Sequence, residues 1–454
     1  MASYGIKDLT SGSIYNQLIR LAMPIMATNF IQMTYTLTDM AWIGRLGSEE
    51  VAAIGSVGIL LWLASSFGLL TKVGVEICIA RSIGGKNLDE ARQYASHSVM
   101  FSILLGIVFG AILVAFGEWV ISLFKLEERI SAMAVSYLHI LALAMPMWYL
   151  SYTFAGIYNG CGRSIIPFYL LSSGLICNMI LDPLFIFGVG NVRGLGVDGA
   201  AIASLVSQMV VVFLFVWQMK RKNGILNRFS YYVKPKKAFI IPIFKLGTPI
   251  AVMNCLFAVI NFYVARLASI YGGHLGVMSQ TTGSQIEGIT WNTSSGFSTA
   301  LGSFVAQNQA AGKTNRTTQA YKYTLYTLLS LGIVVSVCFF FFGQEIFGVF
   351  VPELAARKAG GEYLQIMALC QVFMMLENTT LGMWNGYGKT LPPAIVSVTL
   401  NVARIPLALW LAPVYGVNGV WFAIIISAIL KGIISPVWWK ITASKYKKAQ
   451  KHEM

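Results

Sequence analysis

Residues 14–44 read IYNQLIRLAMPIMATNFIQMTYTLTDMAWIG. Apart from Arg20 and Asp39 the stretch carries no charge, and at ~1.5 Å per residue it is long enough to cross a ~30 Å hydrocarbon layer. We predict a transmembrane helix with a hinge at Pro24. Asp39 lies inside this helix, and Tyr35, one turn earlier, shares its face. A carboxylate at membrane depth costs roughly 2.5–3.5 kcal/mol on insertion scales, so Asp39 is a candidate site residue, and we expect it to bind a coupling ion.

The composition places the whole chain in the class of polytopic membrane proteins. Of its 454 residues, 56% are hydrophobic and only 11% are charged. The net charge of +15 does not indicate nucleic acid, because the basic residues lie between apolar runs and near the C-terminus, where lipid headgroups and topology explain them. The six cysteines lack metal-ligand spacing, so we expect free thiols and no disulfide. Few histidines, no zinc spacing and no nucleophile elbow argue against an enzyme, and we expect no cofactor beyond a coupling ion.

Twelve apolar runs of spanning length follow one another along the chain, which predicts an all-α fold. They lie near residues 14–44, 51–82, 93–119, 130–159, 164–188, 197–220, 238–270, 277–310, 317–343, 354–385, 391–412 and 416–440. The one long hydrophilic connection is basic, with Lys222 and Arg228 among its charges. We therefore expect an N-terminal six-helix bundle in 1–219, a cytoplasmic linker in 220–237 and a C-terminal bundle in 238–454. Most basic loops follow even-numbered runs, so both termini should be cytoplasmic.

The two halves of the sequence repeat one another. Two motifs occur once in each half: RLAMPI at 20–25 with KLGTPI at 245–250, and YNGCGRS at 158–164 with WNGYGKT at 384–390. Because six is an even number of helices, both halves enter the membrane from the same side, which predicts a parallel repeat with a site between two bundles. The intramembrane acids are not repeated, since Asp39 aligns with Val264 and Asp182 aligns with Ile405.

Asn178 and Asp182 extend the candidate site beyond the first helix. Their i, i+4 spacing points both side chains one way from the fifth run. With Asp39 and the hydroxyl of Ser204 they offer hard oxygen ligands, and sodium could sit at Asp39, Asn178 and Asp182. Alternatively, two neighbouring carboxyls away from water would bind a proton. A further alternative is that Asp182, which precedes Pro183, is an interfacial cap.

Other polar and soft residues within the runs are weaker candidates. Those that we assign to a substrate cavity are Met33, Gln280, Glu287, Asn292 and Glu377. The acids would attract a cationic substrate, and methionine and aromatic walls can hold flat cations. The same residues could instead be satisfied interhelical contacts, at ~0.6 kcal/mol each. We expect Arg404 to snorkel or to pair with an acid, and Glu76 to serve packing or an ion pair at the inner end of the second run.

These features together resemble the multidrug and toxic compound extrusion (MATE) transporters over essentially the whole chain. The resemblance rests on twelve runs in two halves, on the Pro24 to Tyr35-Asp39 arrangement, on the Asn-Gly-x-Gly turns, on Asn178-x-x-x-Asp182-Pro183 and on the Gly-Ala-Ala-x-Ala start of the sixth run. It implies a V-shaped pair of pseudo-symmetric bundles that exports amphipathic, often cationic compounds in exchange for protons or sodium. We expect a monomer in the cytoplasmic membrane, in contact with lipid.

The resemblance also implies where the ion binds. Members with an N-terminal ion site use a first-run Asp, a fifth-run Asn and Asp and a sixth-run Thr, which correspond here to Asp39, Asn178, Asp182 and Ser204. Another branch uses a seventh-run Glu and a tenth-run Asp, and the aligned positions are Phe257 and Met374, although Glu377 lies one turn away. The chain thus resembles the members of the family whose ion site lies in the N-terminal half.

We hypothesise that the ion shifts the first helix between straight and bent forms. Lipid-linked oligosaccharide flippases of the same superfamily, nutrient importers and nontransporting receptors remain rival classes, and the sequence does not decide between proton and sodium.

Overall fold

The computed structural model describes residues 6–189, 192–221, 226, 229–351 and 353–452, and it is helical almost throughout. The helices are α1 Ile14–Ile43, α2 Ser48–Gly84, α3 Leu88–Ser122, α4 Glu128–Gly160, α5 Ile165–Phe187, α6 Val197–Lys220, α7 Lys237–Ala310, α8 Thr314–Phe350, α9 Leu354–Ala368, α10 Gln371–Gly386, α11 Leu391–Val402, α12 Arg404–Tyr415 and α13 Val417–His452. After α5, a two-residue strand β1 (Gly188–Val189) pairs antiparallel with β2 (Val192–Arg193). The prediction of an all-helical chain is confirmed.

The thirteen segments of the described chain correspond to the twelve predicted runs. The 74-residue α7 contains two of the runs and leaves helical geometry at Gly273, whose φ of 58° is a conformation that glycine adopts without steric cost. Helices α9 and α10 are one run bent by 53°. Only Ala403 separates α11 from α12, so these two form one run as well.

Most of these helices are apolar enough to cross a membrane. In the described chain nine helical segments are long and apolar enough, with α11 and α12 counted as one, and the bent α9–α10 pair makes ten. Helix α1 is not among them although it has 30 residues, because polar side chains cluster in its second half. Several of these polar side chains line a cavity that is described below.

The chain forms two compact units, each with its own core. The first unit comprises Met23–Val252 with two short pieces from Met1–Gly12 and Ala306–Gly312, and the second comprises Ser13–Ala22, Met253–Val305 and Lys313–Met454. Large side chains such as Phe154 and Phe215 fill the first unit, and Trp421 and Tyr363 fill the second. Lys222 and Arg228 of the predicted linker lie outside the described residues, and the division at 220–237 stays a prediction.

The repeated motif after α4 and α10 folds into the same turn in both halves. In the first, the Arg163 amide donates to the Tyr158 carbonyl at 2.9 Å, and in the second, the Lys389 amide donates to the Trp384 carbonyl at 3.0 Å. The glycine inside each turn, Gly162 in the first and Gly388 in the second, has a left-handed φ of 74° and 66° respectively, which residues with a side chain rarely adopt. The sequence repeat is therefore also a repeat of backbone conformation.

Candidate functional site

The first unit encloses a cavity of about 370 Å³. Its walls come from α1, α2, α4, α5 and α6, and they include Tyr35, Asp39 and Ser204. The i, i+4 spacing of Tyr35 and Asp39 places both on the cavity face of α1, as predicted from one helical turn. Polar residues in the second half of α1 therefore line the cavity and do not need to face lipid.

Of the five residues predicted to bind the ion, Tyr35, Asp39 and Ser204 line this cavity, and Asn178 and Asp182 lie next to Asp39. Within α5, the Asn178 Nδ2 donates to Asp182 Oδ1 at 2.9 Å, and neither side chain is exposed. The Tyr35 hydroxyl donates to Ser204 Oγ at 3.0 Å, which joins α1 to α6. Asp39 interacts with Asp182, Asn178 and Ser204. Asp182 is buried and lies within α5 rather than at its last residue. The alternative that it is an interfacial cap stays a prediction.

Three acceptor oxygens at this cluster lack a hydrogen-bond donor. They are Asp39 Oδ1, Asn178 Oδ1 and Asp182 Oδ2, all buried. No ion pair joins either aspartate to a basic side chain anywhere in the described part of the chain. Buried acceptors without donors are costly, and two neighbouring carboxylates repel one another. A proton or a small hard cation would satisfy both conditions at once.

Sequence reasoning missed several residues at the cavity. Tyr137 of α4 lines it and interacts electrostatically with both Asp39 and Asp182. Ser151 of α4 donates to Gln208 Oε1 of α6 at 3.3 Å, and both residues line the same cavity. A tyrosine, a serine or a glutamine within an apolar run is inexpensive, so the sequence carries no signal that separates these residues from ordinary packing.

The predicted hinge lies inside α1. Pro24 has no amide hydrogen, so the carbonyl of Arg20 cannot receive its helical hydrogen bond. One turn later, the Thr28 hydroxyl donates back to the Pro24 carbonyl at 2.9 Å. Helix α1 nevertheless continues through this point from Ile14 to Ile43. Helix α1 is therefore weakened near Pro24, where one backbone hydrogen bond is missing. The hinge role of Pro24 stays a prediction.

The residues assigned to a substrate cavity do not line the cavity of the first unit. Met33 lies on α1 but outside its walls, and the other four belong to the second unit, namely Gln280, Glu287, Asn292 and Glu377. There, Glu377 pairs with Lys431 of α13 at 3.0 Å, with both side chains buried. Lys431 was not among the predicted site residues, although a lysine in the middle of an apolar run is a signal that the sequence contains.

Arg404 does not snorkel, which corrects one of our two expectations for it. Only 6% of the residue is exposed, and its Nε donates to Ser427 Oγ at 3.0 Å. The described residues form no ion pair with it, so the second expectation, pairing with an acid, is not met in this structure either. Glu76 is buried in α2, consistent with a packing role.

Comparison with known proteins bears on the whole chain. The MatE family model matches it twice, at residues 24–184 and 249–410, together more than half of its length, and the matches begin at Pro24 and Pro249. The "Probable multidrug resistance protein NorM" of Thermotoga maritima is 24% identical over 93% of this chain and 91% of its own. The "FAD transporter" of Shewanella oneidensis is 25% identical over 94% of both chains.

Solved structures of MATE transporters share the fold. A crystal structure of MATE in the bent conformation has a TM-score of 0.91, and one in the straight conformation has 0.90. Each is 22% identical and covers 97% of this chain and 98% of that chain. With the repeat, the helical fold and two matches to one family model in agreement, the chain belongs to the MATE family of membrane transporters.

Proposed function

We propose that the protein is an ion-coupled antiporter that exports amphipathic, often cationic compounds by alternating access. Several relatives are named as multidrug export or resistance proteins, among them the "Multidrug export protein MepA" of Staphylococcus haemolyticus, 24% identical over 91% of both chains. Transport of this kind needs an energy source, and the chain carries no nucleotide-binding loop. An ion gradient supplies the energy in this proposal.

The observation that carries the proposal is the donor-free set of oxygens on Asp39, Asn178 and Asp182 beside the cavity. These oxygens can accept a proton or coordinate a cation. Within the described residues, neither aspartate forms an ion pair with a basic side chain. The ion-coupling site therefore consists of Asp39, Asn178 and Asp182, with Tyr35 and Ser204 holding α1 and α6 together beside it.

Ion binding acts through α1 in this mechanism. A bound proton or sodium relieves the repulsion between Asp39 and Asp182, and α1 responds at the turn that Pro24 weakens. That a MATE transporter has been solved in a bent and in a straight conformation supports the existence of two forms. The ion and the exported compound need only stabilise different forms, and direct contact between them is not required.

A dye-efflux assay in everted vesicles tests the proposal. The same vesicles receive an outward-directed gradient, higher in the lumen, of protons in one arm and of sodium in the other. Because export runs into the lumen of an everted vesicle, we expect the dye to accumulate there in one arm at least. The variant Asp39→Asn should insert normally and show no gradient-driven efflux. Wild-type rates in that variant would rule out the site, and absence of efflux in both arms for the unmodified protein would rule out the function.

The rival classes receive less support from the chain. A flippase for lipid-linked oligosaccharides needs a cationic cavity for phosphates. The buried bases of the second unit, Arg404 and Lys431, are balanced by the buried acids Glu287 and Glu377. The basic loops after even-numbered runs favour cytoplasmic termini, and we keep this topology and the monomeric state as parts of the proposal.

A further inference from the structure

The start of α7 packs along the first turns of α3, and both segments belong to the first unit. Phe239 meets the ring of Tyr94 edge-on at 5.1 Å, and further along Phe244 meets Phe101 at 5.3 Å. His97 lies between these two contacts on α3, with its ring 5.0 Å from that of Phe239. The histidine is fully buried, although it forms no part of the cavity wall.

Both ring nitrogens of His97 are bound to backbone groups. The Lys236 amide donates to Nε2 at 3.1 Å, and Nδ1 lies 2.7 Å from the Gln93 carbonyl oxygen. An amide N–H can only donate, and a carbonyl oxygen can only accept. Nε2 therefore carries no proton and Nδ1 carries one, so the two contacts together select a neutral ring.

The contact with Nε2 fixes the residue from which α7 begins. Lys236 is the N-cap of α7, and its own side chain makes no capping hydrogen bond. Its carbonyl accepts from the amides of Phe239 and Ile240, at 3.0 and 3.2 Å. Because the first amides of a helix lack partners further back in the helix, the order of this turn depends on what holds the N-cap residue. Here that holder is a histidine on another helix.

Protonation of Nε2 would remove this contact. The Lys236 amide would then lose its acceptor and face a second N–H donor. No described acid forms an ion pair with His97, so no carboxylate stabilises an imidazolium in this position. The charged and titratable side chains around the contact are Tyr94 and Glu90 of α3, Cys78 and Arg81 of α2, and Lys236 itself. The contact is therefore strongest at neutral and alkaline pH and weakens as the pH falls.

We propose that His97 acts as a pH-sensitive switch, which holds the start of α7 on α3 while its ring is neutral and releases it when the ring is protonated. Histidine is the side chain whose charge ordinarily changes between about pH 5 and 8, so the switch would respond to the pH changes that a cell encounters. The inference goes beyond the proposed function, and it can be tested without a gradient or an exported compound.

Hydrogen exchange of the full-length protein in detergent tests the switch. Mass spectrometry follows peptides that cover residues 233–241 at about pH 7.5 and about pH 5, and each rate is divided by the intrinsic rate at that pH. We expect the protection of the Lys236, Phe239 and Ile240 amides to fall at least about tenfold in acid, because all three depend on the contact. Unchanged protection in acid would overturn the proposal.

Two variants assign the effect to the histidine. In His97→Gln the amide oxygen can accept from Lys236 at both pH values, so protection should not depend on pH. His274→Gln is the matched control, because it removes an exposed histidine further along α7, and it should behave as the unmodified protein does. Any effect of acid on the carboxyls of the ion cluster is common to all these proteins and cancels in the comparison. An equal fall in His97→Gln and in the unmodified protein would overturn the switch.

A third variant keeps the test decisive if His97→Gln does not fold. His97→Phe retains a ring against Phe239 but offers no acceptor to the Lys236 amide. Protection of residues 236–240 should then be low at both pH values. High protection in this variant, or a fall in acid as large as that of the unmodified protein, would show that His97 only packs against α7.

Discussion

In the first unit, Asn178 donates to Asp182 one turn later in α5, and the helix continues unbroken past Pro183. At the aligned turn of the second unit, Asn401 turns back toward Ser397 at 3.4 Å, and Ile405 stands where the acid would be. The neighbouring residue there is Arg404, so the charged group at this turn is a base rather than an acid.

The same contrast extends to the whole of each polar cluster. Asp39 and Asp182 have no basic partner in the described part of the first unit, whereas the second unit matches Glu287 and Glu377 with two bases. The repeat therefore fixes how helices and turns are built, while a few polar substitutions decide which charges each unit can accept. An acid without a basic partner is suited to bind an ion reversibly, whereas the buried pair of Glu377 and Lys431 satisfies its own charges and is suited to stabilise the fold.

The largest effect should follow from removing a charge in the unbalanced cluster. Asp182→Asn replaces a carboxylate by an amide of similar size, so the cation or proton loses one of its two charged ligands. We expect gradient-driven efflux to fall to the level of vesicles without transporter, with unchanged insertion. Glu118→Gln, at an exposed position on α3, is the control and should transport normally. Efflux by Asp182→Asn at the control rate would show that the cluster is not the coupling site.

The balanced cluster should respond in stability instead. Glu377→Gln leaves the Lys431 ammonium buried without its partner, which costs ~3–5 kcal/mol when one side of a buried pair is removed. Thermal unfolding in detergent measures this, and Glu377→Gln with Lys431→Met should recover most of the loss. The exposed pair of Arg357 and Glu345 provides the control, since Glu345→Gln should cost ~1 kcal/mol or less. Equal losses in the two pairs would contradict the contrast.

The fold could be predicted from the sequence because hydropathy and the repeat are redundant signals. The predicted bounds of the sixth run, 197–220, equal those of α6, and the start of the first run equals that of α1. The bend between α9 and α10 could not be predicted, because no proline or glycine lies at the break around Leu369 and Cys370. The predicted end of the last run, near residue 440, lies more than three turns before the end of α13, because hydropathy falls after Lys440 while helical backbone continues to His452.

The candidate site was predictable only where a residue is expensive in a membrane. Asp39 and Asp182 stand out for that reason, and the i, i+4 rule adds Asn178 to the set. Tyr137 completes the cavity wall from α4, but no local pattern connects it to residues about a hundred positions away. Likewise, the partner of Glu377 depends on how α10 packs against α13, which neither helix's own sequence specifies.

A smaller loss of stability is expected from a substitution in residues Ala306–Gly312, where the end of α7 belongs to the first unit. Gln307 accepts from the Leu9 amide at 3.1 Å and donates to the Gly160 carbonyl at 2.9 Å, and it is fully buried. Gln307→Ala removes both of these buried hydrogen bonds, so we expect a loss of ~1–3 kcal/mol in unfolding free energy. Gln309→Ala, two residues further on and less buried, should be nearly neutral. Similar melting temperatures for the two variants would mean that the contact does not stabilise the first unit.

The smallest effect should come from the hydroxyl that joins α6 to α1. Ser204→Ala removes the acceptor of the Tyr35 hydroxyl, a neutral hydrogen bond worth ~0.5–1.5 kcal/mol, so the ion concentration for half-maximal efflux should rise by up to about tenfold. Ser204→Thr keeps the hydroxyl and should leave that concentration unchanged. If alanine and threonine behave alike, Ser204 only packs against its neighbours, and its hydrogen bond to Tyr35 does not support the ion site of the first unit. A selective loss in alanine would instead show that the neutral hydroxyl helps the two uncompensated acids to bind the ion.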